Sequence, residues 1–583
     1  MSEKWVYTFD EYADLKRRLG GDDDAVRSLL GGKGAGLGEM TAIGLPVPPG
    51  FTVVTRACLY YLEHGAFPPG LWEEVLEGMA YLEGKMGKKF GDPSRPLLVS
   101  CRSGAKFSMP GMMDTILNVG LNDETVHGLA EMTNNPRFAW DAYRRLLQMF
   151  GKTVLGLPEE DFDRALREEM AEQGAEDETQ LDAEAWKRVV RRFKGVYMFH
   201  GREFPQDPYD QLRMAMEAVF RSWNSPRARA YRARTGIPDD LGTAVNIVAM
   251  VFGNLGPDSG TGVVFTRNPS TGEKELWGEY LVNAQGEDVV AGVRTPSPVT
   301  KLAQDMPEVY AQLQDMAERL ERHFRIMQDI EFTIERGKVW MLQTRAGKAT
   351  PQAKVKMAVD MVNEGLISKE EAVRRVSPED VEQLLHPQFN PHDLAKARHE
   401  GKLLARGVNA SPGAAVGRVY LDSEKAKAKA AEGEPVILMR PFTKPEDVPA
   451  MLVSKAIVTT EGGATSHAAV VARQFGIPAV VGASDIKIDM ERRVLQINGK
   501  EYPEGTWISV DGTSGQVFVG KLPAQPPALE TLEELRILLD WADEIAARPG
   551  VRPQVDGGPT RGLEVWTNAD LPKDAALARR LGA

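Results

Sequence analysis

Of the eight histidines in this 583-residue chain, His467 stands where an imidazole could act as a nucleophile. It lies in Glu461-Gly-Gly-Ala-Thr-Ser-His467-Ala-Ala-Val-Val-Ala-Arg-Gln-Phe-Gly476, followed by Ile-Pro-Ala-Val-Val-Gly482. Gly462 and Gly463 predict a flexible turn, and Thr465 and Ser466 are hydroxyl residues of the kind that cap a helix. Small and branched apolar residues then recur at helical spacing, Gly476 suits a helix stop, and Ile477 to Val481 reads as a buried strand. The free N–H groups and partial positive charge of a helix N-terminus would keep His467 neutral, hence nucleophilic. They would then stabilise an anionic group placed on it. The chemistry predicted is that of a phosphohistidine carrier. A lone Thr-Ser-His would be explained as well by a cap or a packed core residue.

The first 345 residues hold groups suited to a nucleotide phosphate. Gly31-Gly-Lys33-Gly-Ala-Gly-Leu-Gly38 surrounds one lysine with glycine turns, and it departs from the Walker pattern because no Ser or Thr follows Gly-Lys. Leu98-Val-Ser-Cys-Arg102-Ser-Gly-Ala-Lys106 ends an apolar strand in a cationic turn, where Arg102 could clamp a phosphate or form a capping ion pair. Met250 to Gly262 reads as a glycine loop between two strands, able to close over a triphosphate without side-chain obstruction. Glu279 and Glu287 follow, then Asp329 and Glu331, which strand alternation puts on one face. Two carboxylates facing one way are costly unless a cation sits between them, and Mg²⁺ with a nucleotide would supply it. Gln343 and Arg345 lie on the next apparent strand, Val339 to Arg345.

Several domains must position these groups, since 583 residues exceed what one core serves. Residues 1–115 and 240–345 mix short apolar runs with glycine turns, an α/β or α+β texture, and 115–235 reads as a helical insertion, as in Arg137–Phe150 and Ala183–Phe199. Residues 346–404 read as a solvated helical linker. His386, His392 and His399 within it are spaced six and seven apart, which does not make a metal site. Short Val/Ile strands and Gly/Pro turns fill 405–520, a compact α/β unit around His467. A linker spans 521–560 with an amphipathic helix over Leu529–Ala546, and 561–583 reads as one strand and one helix beginning another domain. Hydrophobic content of 42%, charged content of 26% and a net charge of −12 describe an ordinary soluble protein with no cationic excess for nucleic acid. Cys58 and Cys101 are too few for a disulfide framework or a cysteine zinc site. The first residues lack a signal-peptide core, and no run of 18 apolar residues occurs, so no membrane role and a cytoplasmic location are expected.

The run from Gly462 to Gly482 resembles the phosphohistidine domain of phosphoenolpyruvate-utilising enzymes. Gly31-Gly-Lys-Gly-Ala35, Arg102-Ser-Gly-Ala105, Ser108-Met-Pro-Gly-Met-Met-Asp-Thr115, Phe204-Pro-Gln-Asp-Pro208, Ser222-Trp-Asn-Ser-Pro-Arg227, Val282 to Gly292 and Gln328 to Arg345 extend the resemblance over nearly the whole chain, to the pyruvate, phosphate dikinase family. That resemblance implies an ATP-grasp nucleotide domain, a swivelling phosphohistidine domain and the start of a phosphoenolpyruvate/pyruvate-binding β/α barrel. Lys33, Arg102, Glu279, Glu287, Asp329, Glu331, Gln343 and Arg345 match the family's nucleotide and Mg²⁺ positions, Asp329 and Glu331 being the metal pair. His467 matches the phosphorylated histidine and Thr465 a position regulated by phosphorylation. Val248 departs from a glutamine common near the adenine. The implied reaction relays phosphoryl from ATP and inorganic phosphate through His467 to pyruvate, giving phosphoenolpyruvate, AMP and pyrophosphate. With only the opening of a barrel, competence for the nucleotide half-reaction alone is expected, and the homodimer common in the family would depend on that barrel. Two alternatives are a water-using phosphoenolpyruvate synthase, which usually reads Thr-Cys-His where this chain has Ser466, and a non-catalytic phosphocarrier or ATP-binding module serving a separate chain.

Overall fold

The structure, a computed structural model, describes residues 4–109, 111–286, 288, 296–384, 388–525 and 532–546. The readings made for Glu287, His386 and the strand–helix unit at 561–583 fall outside the described residues. The chain divides into two compact units, one of residues 1–266, 276–320 and 328–346, the other of 267–275, 321–327 and 347–583.

Two five-stranded antiparallel sheets organise the first unit. The order in the first sheet is Val6–Thr8, Gly50–Val53, Thr243–Ala249, Val99–Ala105 and Thr115–Val119. In the second it is Ser297–Pro298, Trp277–Val282, Gly260–Phe265, Gln328–Glu335 and Lys338–Ala346. The helical stretch enters after Thr115–Val119, itself an edge strand of the first sheet. Among the described residues it runs through helices Thr125–Thr133, Pro136–Thr153, Glu159–Gln173, Ala183–Phe199, Pro208–Ser222 and Pro226–Thr235. Their apolar stripes bury Phe138, Leu146, Phe150, Trp186, Phe193 and Tyr197 in one core with Val99, Ile116 and Ile247 of the sheet. Three of these helices begin with an Asn, Asp or Ser cap before a Pro, as Asn135 does by accepting from the Phe138 N–H at 3.1 Å.

The second unit is built on an eight-stranded sheet. At its centre Ala414–Tyr420, Val436–Arg440, Ala456–Thr459 and Ala479–Val481 run parallel. Successive residues of Val436–Arg440 face opposite ways, Ile437 and Met439 into one core and Val436 and Leu438 into the other, so the strand reads as an unbroken apolar run. The crossover between the last two parallel strands is helix His467–Phe475, which ends at Gly476 in the left-handed conformation (φ 63°).

Helix Glu533–Ala546 completes this unit. The stretches read as two separate connectors share a core, in which Leu535, Leu538 and Trp541 pack with Val355, Ala358 and Val359 of helix Pro351–Asn363 and Ala372 of helix Lys369–Arg375. Each helix is too short to be stable alone and buries its stripe against the others. His392 and His399 are exposed on helix Pro391–His399. Among the described residues, no helix is long and apolar enough to cross a membrane, and no group of three or more His, Cys, Asp or Glu side chains is placed to hold a metal.

Candidate functional site

The glycines around Lys33 form helix rather than loop. Asp23–Ala42 is helical with a break at Gly31 (φ 69°), so a new helical segment starts beside Lys33. Poor helix propensity is overridden by close packing, because Gly31, Gly34 and Gly38 lie where a side chain would collide. A Cβ on Gly31 would lie 1.7 Å from the Gly104 carbonyl oxygen. On Gly34 it would lie 2.7 Å from Thr52 Oγ1, and on Gly38 2.6 Å from the Tyr12 ring. The Gly31–Gly104 contact seats the lysine-bearing helix on strand Val99–Ala105, which carries Arg102 two residues earlier.

Opposite this edge, register aligns the acidic groups. Glu331 pairs with Gln343 on one side and Val263 on the other, and Val263 pairs with Glu279. Directly opposed residues of an antiparallel sheet share a face, and so Asp329 with its partner Arg345 lies on that face two residues along. Arg345 Nε donates to Asp329 Oδ2 at 2.7 Å. The Gln343 Oε1 is buried without a hydrogen-bond partner among the described residues.

A cleft of about 520 Å³ brings Lys33, Arg102 and Glu331 together, while Asp329, Gln343 and Arg345 lie beside Glu331 on the same sheet and outside the cleft lining. Lys33, Arg102 and Glu331 line one part, and Leu117, Met149, Val248, Val251 and Leu342 form an apolar wall. Burial, followed by the Arg102 guanidinium, lowers the Lys33 pKa to about 8 against the pull of Glu331. Lys33 and Arg102 have no ion-pair partner among the described residues, whereas Arg345 is engaged by Asp329. Lys106, at the end of the same cationic motif as Arg102, is held by Asp24 at 2.8 Å. Glu279 stands one strand beyond the cleft lining, half-buried. The glycine loop after Ala249 is stitched down rather than free. The Phe252 N–H donates to Glu335 Oε2 at 2.7 Å and the Ala284 N–H to the Gly253 carbonyl at 3.0 Å. Gly253 again answers to packing, since a Cβ there would sit 2.3 Å from the Ala284 carbonyl oxygen.

The second constellation lies at the carboxyl edge of the parallel strands, where α/β sheets place ligands because crossover helices start there. Ser466 caps helix His467–Phe475, its Oγ accepting from the Ala469 N–H, and His467 is the first helical residue. Thr465 is half-buried in the turn before it. Burial holds the His467 pKa below the ordinary 6.5, against the opposing pull of Asp447 and Glu446. Its Nδ1 lies 2.8 Å from Thr443 Oγ1. Thr443 follows the neighbouring parallel strand and is buried. The sequence reading passed it over because 24 residues separate the pair, and only strand order makes their loops adjacent. The one signal available was a hydroxyl residue in Pro441-Phe-Thr-Lys-Pro445, a turn after an apolar run.

A cation-lined cleft in one unit and a helix-mouth histidine in the other define a protein of modular α/β build. Comparison with known proteins agrees with that class. Residues 27–77, 62–310 and 306–366 match the family model described as pyruvate phosphate dikinase, AMP/ATP-binding domain, and 432–515 match that of the PEP-utilising enzyme, mobile domain. The chain is 49% identical over 583 residues to pyruvate, phosphate dikinase of Clostridium symbiosum, covering 100% of this chain and 63% of that protein. It is 50% identical over 594 residues to the enzyme of Rhizobium meliloti (strain 1021), covering 100% and 63%, and 49% over 585 residues to the chloroplastic enzyme 1 of Arabidopsis thaliana, covering 100% and 58%. The chain belongs to the pyruvate, phosphate dikinase family. It spans between 58% and 63% of the length of these three relatives.

Proposed function

We propose that this chain carries the ATP-dependent phosphoryl relay of a pyruvate, phosphate dikinase, with an ATP-grasp domain as donor site and a swivelling phosphohistidine domain as carrier. The observation that carries the reading is the pair of cations Lys33 and Arg102, without ion-pair partners among the described residues, in a cleft that also has an apolar lining. Phosphates would take the cations and the adenine the wall of Val248, Val251 and Leu342, in which Val248 offers contact area rather than a hydrogen bond. Glu331 and Asp329, with the unpartnered oxygen of Gln343 beside them, fit a hard oxygen-seeking cation. They would hold Mg²⁺ jointly with the nucleotide. When bound, that ion supplies neutralisation of phosphate charge.

For the relay, the module bearing His467 must meet the nucleotide held by the first unit. The imidazole attacks the β-phosphorus, the bond to the AMP oxygen breaks, and Lys33 and Arg102 stabilise the equatorial oxygens. Inorganic phosphate then takes the outer phosphoryl as pyrophosphate, leaving one phosphoryl on His467 for transfer to pyruvate, giving phosphoenolpyruvate. The pyruvate step is assigned to a β/α barrel of which 561–583 would be the beginning, and a homodimer is proposed to form through such a barrel. Glu279 and Glu287 are proposed as further ligands of the bound nucleotide, Thr465 as a regulatory position, and the cytoplasm as the location.

Isotope exchange between AMP and Mg-ATP tests the reading. Exchange dependent on inorganic phosphate is the expected result. Exchange without phosphate would favour the water-using synthase, and a folded, ATP-binding chain with no exchange would leave only a nucleotide-binding module.

A further inference from the structure

We propose that Thr443 is a positioning residue that fixes the His467 tautomer, accepting a hydrogen bond from Nδ1–H and so leaving the lone pair on Nε2 to take the phosphoryl group. This rests on the relay proposed above. The geometry is a buried hydroxyl 2.8 Å from Nδ1, with no hydrogen-bond partner for Nε2 among the described residues. A threonine hydroxyl can donate or accept, and the two cases differ chemically. If it donated to Nδ1, the ring proton would sit on Nε2, and both nitrogen lone pairs would be committed. Only acceptance by Oγ1 leaves a nucleophilic nitrogen.

Hydrogen bonds in the surrounding loops hold the two side chains next to each other. The Thr460 and Glu461 N–H groups donate to the Arg440 and Pro441 carbonyls at 3.1 and 2.9 Å, tying the Thr443 loop to the His467 loop. The Lys444 N–H donates to Asp447 Oδ2 at 2.8 Å, closing the turn just after Thr443. On the other side, Arg473 of the His467 helix donates to the Ala464 carbonyl at 2.8 Å. In the transfer step the Nε2 lone pair forms the N–P bond while the P–O bond to AMP breaks, with the electron pair leaving on the AMP oxygen. The Nδ1 proton stays on the ring throughout. As the ring gains positive charge, the Nδ1–H···Oγ1 bond strengthens, so Thr443 favours the transition state over the ground state.

The test uses the full chain labelled with ¹⁵N-histidine, with His467→Asn identifying the His467 resonances. Wild type should show the Nδ1–H tautomer at pH 8. Thr443→Val, which keeps the shape and removes the acceptor, should shift His467 toward Nε2–H. It should also lower AMP–ATP exchange roughly ten- to hundredfold, the value of one hydrogen bond to a group that gains charge. Affinity for Mg-ATP should not change. Thr443→Ser should restore both tautomer and exchange to within about threefold, which a purely structural role would not predict. An Nε2–H tautomer in wild type, or Thr443→Val with wild-type tautomer and exchange, overturns the proposal. If wild type shows no exchange at all, the relay itself fails, and the tautomer measurement still decides the role of Thr443.

Discussion

In the proposed relay, the cleft of the first unit and the histidine edge of the second would handle phosphate by opposite electrostatic means. At the cleft the cations are full charges on separate elements, Lys33 on a helix and Arg102 on a strand, with no ion-pair partner among the described residues. At the edge the positive field is the partial charge of a helix N-terminus, and the charged groups acting on His467 are the carboxylates Asp447 and Glu446. A site that receives a triphosphate must offset several negative charges at once, which the proposed relay would ask of Lys33 and Arg102. A carrier must let its cargo go, and full cations around it would deepen the intermediate into a trap.

The largest expected effect separates the two sites outright. His467→Asn should reduce AMP–ATP exchange by at least about a thousandfold, as loss of a covalent nucleophile does, while calorimetry finds ATP affinity unchanged. Persisting exchange would remove the carrier from the comparison. Gly31→Ala should weaken the cleft alone. The left-handed backbone and the contact with the Gly104 carbonyl leave no room for a methyl, so unfolding free energy should fall by about 2–4 kcal/mol and ATP affinity with it, leaving the His467 tautomer intact. Wild-type affinity in that variant would mean that the glycine contact does not seat Lys33.

Lys33→Met should move binding and stability in opposite directions. With a folded pKa of about 8 and an unfolded value of 10.5, the unfolded chain binds the proton more readily between those limits. Stability therefore rises with pH from 8 to 10.5, and below pH 8 the full cost of the buried charge is borne. The variant should weaken ATP binding yet raise the nucleotide-free unfolding free energy by about 1–3 kcal/mol at pH 7, a gain that disappears above pH 10.5. In wild type, phosphate should raise the lysine pKa, so titrations near pH 8 in buffers of different ionisation enthalpy should reveal proton uptake absent from the variant. The smallest effect concerns His467. Because burial keeps its pKa below 6.5, exchange at saturating Mg-ATP should still exceed half its maximum at pH 6.5. A midpoint at or above that pH would put the imidazole in water.

Local chemistry was readable from the chain; long-range placement was not. The stripe of Ala183–Phe199 and the Ser466 cap with Gly476 as stop declare themselves within one helix, and Asp329 and Glu331 declare a shared face within one strand. The Gly31–Gly38 run misled because propensity argues for turns, whereas the cause of the helix is the surface of Thr52, Tyr12 and Gly104 against which it packs. Thr443 was hidden for a related reason. Its loop becomes the neighbour of His467 only when Val436–Arg440 and Ala456–Thr459 pair in parallel. The apolar wall of the cleft likewise draws Met149 from a helix and Leu342 from a distant strand, with no spacing to announce it.

The packing of Trp541 and Leu538 on the helix Pro351–Asn363 has a topological meaning. The segment bearing His467 leaves one small helical bundle and comes back to it, so in polymer terms it is a closed ring rather than a pendant arm. Closing a ring confines His467 to a smaller search volume and, in the proposed relay, would raise its effective concentration at a partner site within reach, with ring length entering only logarithmically. Opening the ring with Trp541→Ala should therefore slow phosphoryl delivery without touching a single atom of the chemistry.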